Sequence, residues 1–299
     1  MSALHALLAG AIDYAGLFPP ASLDMPAALA DYAAYRAGED AWLLGRFIVP
    51  VSRLDEMERA AAEYLPADAA VPWSLSALVG TEADADLPVM LAFNARHAPH
   101  TAGGRAVIDA AEMKAGSVDA VRRAAPLVES GLETYVEIPA AVDPEPLLAA
   151  IRQSGARAKI RTGGITRDAF PDARDLARFI STCARLGVPF KATAGLHHPI
   201  RSEYQLTYDA NADRGPMFGF LNVFVAAALA RAGVPAAELA EVLEERDAGA
   251  FTFGTEEVAW RGHRSDKRSL AATRREGVTS FGSCSFREPL DDLERLGLL

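Results

Sequence analysis

Two lysines on consecutive apolar runs have the clearest capacity for chemistry in this chain. Lys159 stands in Ala-Lys-Ile-Arg-Thr-Gly-Gly (158–164), and Lys191 in Pro-Phe-Lys-Ala-Thr-Ala-Gly-Leu-His-His-Pro (189–199). On a strand, positions two apart point to the same face. If Lys159 faces inward, so does Arg161, and Lys191 and Thr193 do the same on the next strand. Cations inside a protein are costly unless something pairs with them or uses them. Desolvation and a neighbouring cation both favour the neutral amine, which attacks carbonyl carbon. Lys159, with Lys191 and Arg161 close by, is therefore a candidate Schiff-base lysine. Glu112 and Glu137, at the ends of two further runs, are candidates to balance charge or carry protons. The same residues would also serve as an ion-pair layer filling the interior of a barrel.

Histidines and small-residue loops raise two more questions. His197 and His198 are adjacent before Pro199. With Glu112 and Glu137 either imidazole is a chemically reasonable ligand for a divalent metal. Adjacent strand residues point to opposite faces, so one histidine at most would ligate from a strand; a loop relaxes that limit. Without a metal, the pair reads as a strand end with one imidazole bonded to backbone. No His-Glu-x-x-His motif is present. Gly282-Ser283-Cys284-Ser285 precedes a final helical pattern, and Thr162-Gly163-Gly164 follows Arg161. Such loops expose N–H groups that capture anions, phosphate included, although a tight turn explains them equally well. The cluster Glu203, Tyr204, Gln205, Tyr208, Asp209, Asn211 and Arg214 would form either a lid or a solvated loop.

The elements that must position these groups alternate. Short apolar runs at 13–18, 46–51, 73–79, 106–112, 134–138, 158–162, 190–194 and 279–283 read as strands, with amphipathic helical patterns between them. That alternation predicts an α/β fold, a (β/α)8 TIM barrel in one domain over 1–299. An elaborated connection at about 199–277 separates strands seven and eight. Residues 251–253 are the competing choice for strand eight, but 279–283 leaves 288–296 as a closing helix. Ser22 and Ser52 read as helix N-caps, and Gly131, Gly155 and Gly187 as C-terminal stops. Pro88 limits where the helix near 84–97 begins. In such barrels, catalytic groups gather at the C-terminal ends of the strands. Glu112, Glu137, Lys159, Arg161, Lys191, Thr193, His197, His198 and Ser283 all fall there.

Composition narrows the function classes. The 299 residues are half hydrophobic and carry a net charge of −10, which argues against general nucleic-acid binding. Two cysteines, Cys183 and Cys284, make neither a disulfide framework nor a metal spacing, so a reducing, cytoplasmic setting is expected. No basic segment precedes an apolar core at the N-terminus. The apolar stretch 217–232 is short for a membrane span and contains Asn222, so it reads as a buried helix. It would suit a homo-oligomer interface, or the barrel exterior beneath another helix.

The strand endings resemble class I aldolases of the deoxyribose-phosphate aldolase type. Lys159-Ile-Arg-Thr-Gly-Gly, Lys191-Ala-Thr-Ala-Gly and Phe281-Gly-Ser-Cys-Ser are similar to that family's sixth, seventh and eighth strands, and Ile12-Asp13-Tyr-Ala-Gly-Leu to its first. The resemblance implies that Lys159 forms the Schiff base, that Lys191 lowers its pKa, and that Asp109, in Ile108-Asp109-Ala-Ala, assists proton transfer. Arg161, the His197-His198-Pro199 ending and the long seventh connection lie outside the likeness. The expected activity is a lyase of aldolase type on a small anionic carbonyl compound, with or without a phosphate, and without a cofactor. A metal-dependent hydrolase or isomerase and a non-catalytic anion-binding barrel are the alternatives.

Overall fold

The structure, a computed structural model, describes residues 2–67, 71–80, 83–101 and 104–299. Its strands in chain order are β1 (Ile12–Tyr14), β2 (Leu44–Pro50), β3 (Trp73–Leu78), β4 (Ala106–Lys114), β5 (Glu133–Ile138), β6 (Arg157–Arg161) and β7 (Phe190–Thr193). There follow β8 (Ser202–Gln205), β9 (Arg214–Met217), β10 (Phe251–Phe253), β11 (Glu257–Trp260), β12 (His263–Asp266) and β13 (Val278–Ser283). The helices are α1 (Ala3–Leu8), α2 (Met25–Ala37), α3 (Leu54–Ala61), α4 (Ala83–Arg96), α5 (Val118–Arg122) and α6 (Ala125–Glu129). The second half holds α7 (Glu145–Ser154), α8 (Ala173–Leu186), α9 (Phe220–Arg231), α10 (Ala236–Glu244), α11 (Lys267–Glu276) and α12 (Arg287–Arg295).

Strands β1 to β7 and β13 close into an eight-stranded parallel barrel, with β13 seated between β7 and β1. The strands are apolar on both faces because helices cover the outside, as in Phe47-Ile48-Val49, all buried. Helix α8 shows the matching pattern: Leu176, Ala177, Phe179, Ile180 and Cys183 face the core, and Gly187 ends it in the left-handed region at φ 66°. The choice of strand eight resolves as expected. Residues 251–253 belong instead to a separate antiparallel sheet, β10-β11-β12, outside the barrel.

The elaborated connection has three parts. Strands β8 and β9 form a hairpin at the barrel mouth, α9 packs on the barrel wall, and the three-stranded sheet leads into α11. Phe220 stacks on Phe281 of β13 at 4.9 Å, and Phe224 meets the same ring edge-on. Helix α9 is covered by α8, α10 and α11. Its apolar face is therefore used within the chain and is not free for a subunit interface. Among the described residues, no helix is long and apolar enough to cross a membrane.

Three local expectations are corrected. Asp24, not Ser22, caps α2 by accepting the Ala27 N–H at 2.9 Å; Ser22 lies in the loop at φ 46°. Ser52 caps nothing, because Val51–Arg53 form a 3-10 turn that runs directly into α3. Pro88 stands inside α4, where its missing N–H leaves only the Asp84 carbonyl without its helical donor.

Candidate active site

The strand register sets Lys159 level with Glu137 on one side and Lys191 on the other. Parallel strands with period-two side chains then point all three into the barrel. Glu112 enters from β4 and Asp13 from β1. The result is a chain of alternating charges, Asp13, Lys191, Glu112, Lys159, Glu137. Lys191 Nζ lies 2.5 Å from Asp13 and 2.7 Å from Glu112 Oε1; Lys159 Nζ lies 2.7 Å from Glu112 Oε2 and 2.9 Å from Glu137. Every member is buried. Ser76 donates to Glu112 at 2.6 Å, and Ser280 and the Arg46 N–H donate to Asp13 at 2.7 and 2.9 Å. Such pairing is what makes buried charge tolerable.

The two lysines are not equivalent. Lys191 is wholly enclosed, with Nζ 5.3 Å from the Tyr135 ring centre. Burial opposes its charge, but Asp13 and Glu112 outweigh that and hold it protonated well above the ordinary lysine range. Burial likewise opposes the Glu112 carboxylate, yet Lys159 and Lys191 together hold it well below the usual carboxylate range. Glu112 lies between the two lysines and pairs with both. Lys159 meets its carboxylates at ion-pair distance, but Glu112 Oε2 and Glu137 Oε2 receive no hydrogen bond of proper direction.

Lys159 also opens on a cavity of about 250 Å³ at the C-terminal end of the barrel, which Lys191 does not line. Glu112, Arg161, Thr193, His197, Gly282 and Cys284 line it as well, and Leu206 and Met217 of the β8-β9 hairpin wall it. Arg161 is exposed and makes no ion pair among the described residues; its guanidinium donates a long hydrogen bond to the Gly163 carbonyl at 3.5 Å. A broader cleft of about 720 Å³, holding Lys114, Arg123 and Glu137, meets the cavity at Arg161.

Several expected site residues lie elsewhere or do other work. Asp109 is not among the buried lysines. The β3-β4 register jumps from Leu75↔Ile108 to Ser76↔Ala110, so Asp109 falls at a bulge and pairs with Arg46 at 2.6 Å, beside Glu133. Glu112, three residues further on, is the β4 carboxylate that meets both lysines. Thr162 donates to the Thr193 and Ala194 carbonyls, tying the ends of β6 and β7 together. Gly163 and Gly164 are packed against the loop that follows: a Cβ on Gly163 would lie 2.3 Å from the Phe170 ring and one on Gly164 2.8 Å from Ala169. Ser285 accepts the Glu288 N–H at 3.1 Å and Ser283 lies 3.4 Å from His197, so both hydroxyls of the final loop are engaged within the chain.

The histidines face α12, not Glu112 and Glu137. His197 Nδ1 lies 3.1 Å from Glu288, and His198 Nδ1 lies 2.6 Å from Asp292 with its ring stacked on Tyr204. Glu112 and Glu137 are engaged by lysine. The set His197, His198, Glu112 and Glu137 therefore does not converge, and no other group of three such side chains does so among the described residues. Asp13, Glu288 and Asp292 were the members that residue patterns missed. For Asp13 a signal existed, a lone carboxylate between Ile12 and Tyr14 in an apolar strand. The chain matches no family model and no curated protein.

Proposed function

We propose that this protein is a lyase of the aldolase type that acts on a small anionic carbonyl compound through a Schiff base on Lys159. What carries this reading is the contrast between the two buried amines: Lys159 opens on the cavity, and Lys191 is sealed. The resemblance of the strand endings to deoxyribose-phosphate aldolases supports it further.

The chemistry needs a neutral amine. Glu112, shared by two ammonium groups and held ionised, is the poorer proton acceptor, which leaves Glu137, 2.9 Å from Lys159 Nζ, to take the proton. The freed nitrogen adds to the carbonyl carbon, and loss of water gives the iminium ion. That ion receives the electron pair, becoming an enamine, as the bond between its α- and β-carbons breaks, while a carboxylate takes the proton of the β-hydroxyl, which becomes the carbonyl of the departing fragment. Arg161 stands at the cavity edge to hold an anionic group. At ~30 Å³ per water-sized group, the cavity holds roughly eight such groups, which sets the substrate at a few carbons.

The test is intact mass after borohydride reduction with pyruvate, glycolaldehyde, dihydroxyacetone phosphate and glyceraldehyde 3-phosphate in turn. One reduced adduct, mapped to Lys159 and absent from Lys159→Ala, is the expected result. A folded protein that gives no adduct with any of them would overturn the reading, and elemental analysis for a divalent metal would follow.

A further inference from the structure

His197 lines the same cavity as Lys159 but belongs to a different set of groups. It stands four residues beyond β7, where the Phe220 N–H anchors the loop by donating to the His198 carbonyl at 3.0 Å. Its Nδ1 lies 3.1 Å from Glu288 Oε2 on α12, 3.4 Å from Ser283 Oγ and 3.9 Å from Cys284 Sγ. Glu288 is fixed from the other side, because Tyr208, from the turn of the β8-β9 hairpin, donates to the same oxygen at 2.9 Å and also approaches Cys284 at 3.6 Å.

Two features of this cluster decide its chemistry. Glu288 and Cys284 meet the same ring nitrogen. A nucleophile–base–orienter relay needs one partner on each nitrogen, so Cys284 is not arranged as the nucleophile of such a relay. With Nδ1 directed at Glu288, Nε2 is the nitrogen left over. It makes no hydrogen bond to a described residue, and the side chain lines both the Lys159 cavity and an adjoining pocket bordered by His198, Tyr204 and Glu288. A carboxylate that orients one imidazole nitrogen while the other faces a cavity is the arrangement of a general acid or base.

We propose that His197, positioned by Glu288, is the general acid of the Lys159 reaction: its Nε2–H protonates the hydroxyl leaving the carbinolamine. This rests on the Schiff-base reading above. The step balances. The carbon–oxygen bond breaks with its electron pair on oxygen, the proton from Nε2 completes a water molecule, and the nitrogen lone pair of Lys159 forms the carbon–nitrogen double bond. Imidazole is left neutral and regains its proton from solvent. The charge state fits that role: burial opposes the imidazolium, but contacts with Cys284 and Glu288 outweigh it and raise His197 to about 10. His198 and Asp292 lie beyond, with His198 bonded to Asp292.

The experiment follows the time course of borohydride-trapped adduct with glycolaldehyde and with pyruvate, in the full chain and in His197→Gln and Glu288→Gln. In His197→Gln the adduct should still form on Lys159 to the same end-point, but at a rate lower by about 10²-fold or more, the usual contribution of a general acid. Glu288→Gln, which removes one of the two groups that sustain the imidazolium, should move the alkaline limb of the rate to lower pH, a shift that a merely structural role would not give. If His197→Gln traps adduct at an undiminished rate, or if Glu288→Gln keeps the wild-type pH limb, His197 is not the acid and the Schiff-base reading stands. Absence of any adduct in the unaltered chain overturns both.

Discussion

Lys159 and Lys191, level with each other on adjacent strands, share the Glu112 carboxylate, one oxygen to each. Two cations that would repel across a few ångströms are thereby made neighbours of an anion first and of each other second. The sharing divides their roles. Lys191, held between Asp13 and Glu112, lies sealed inside the barrel, and Lys159, held between Glu112 and Glu137, opens on the cavity.

That division predicts opposite consequences for the same substitution. Lys191→Met leaves Asp13 and Glu112 buried beside an apolar group and should destabilise the fold by about 3–5 kcal/mol. Lys159→Met leaves Glu112 its bond to Lys191 and Glu137 near the mouth, so it should cost clearly less while removing all imine trapping. Urea unfolding midpoints of the two variants decide this; a Lys191→Met protein as stable as Lys159→Met would sink the structural assignment of Lys191.

Stability should vary with pH in three stages. The Glu112 pKa is depressed in the fold, so its contribution is present above the unfolded value of about 4.3 and is lost as pH falls below it. His197 is raised, so its contribution is complete below about 6.5 and is lost as pH climbs to about 10. Lys191 is also raised, and its contribution goes only above about 10.4. The maximum therefore lies between about pH 5 and 6.5. Unfolding free energies measured across pH should show a gentle decline from pH 6.5 that is absent in His197→Gln; an identical decline in that variant would contradict the charge assigned to the imidazole.

Asn222 should matter more than its place in an apolar helix implies. Its Nδ2 donates to the Val242 and Glu245 carbonyls, both at 2.8 Å, and its Oδ1 accepts the Arg201 N–H at 3.0 Å. One amide thus joins α9 to the end of α10 and to the loop that carries both histidines. Asn222→Leu strands these groups and should cost about 3 kcal/mol or more. A loss under about 0.5 kcal/mol in chemical denaturation would show that the three bonds are dispensable.

The sequence by itself determined the barrel's parts. Apolar runs of strand length, helical periodicity between them and glycine stops are local properties of the backbone, and they locate the eight barrel strands to within a few residues. The period of two also sets Lys159 and Arg161, and Lys191 and Thr193, on shared faces. Only the tertiary structure decided what those faces meet. Lys191 finds Asp13 178 residues away because β13 brings β7 and β1 together when the barrel closes. Asp109 leaves the site because one bulge in β4 breaks the register, an irregularity without a mark in residue type. His197 and His198 meet Glu288 and Asp292 because the closing helix returns over the mouth. Local patterns follow from the geometry of one residue after another, whereas charge partners follow from closure, which joins positions that no spacing along the chain connects.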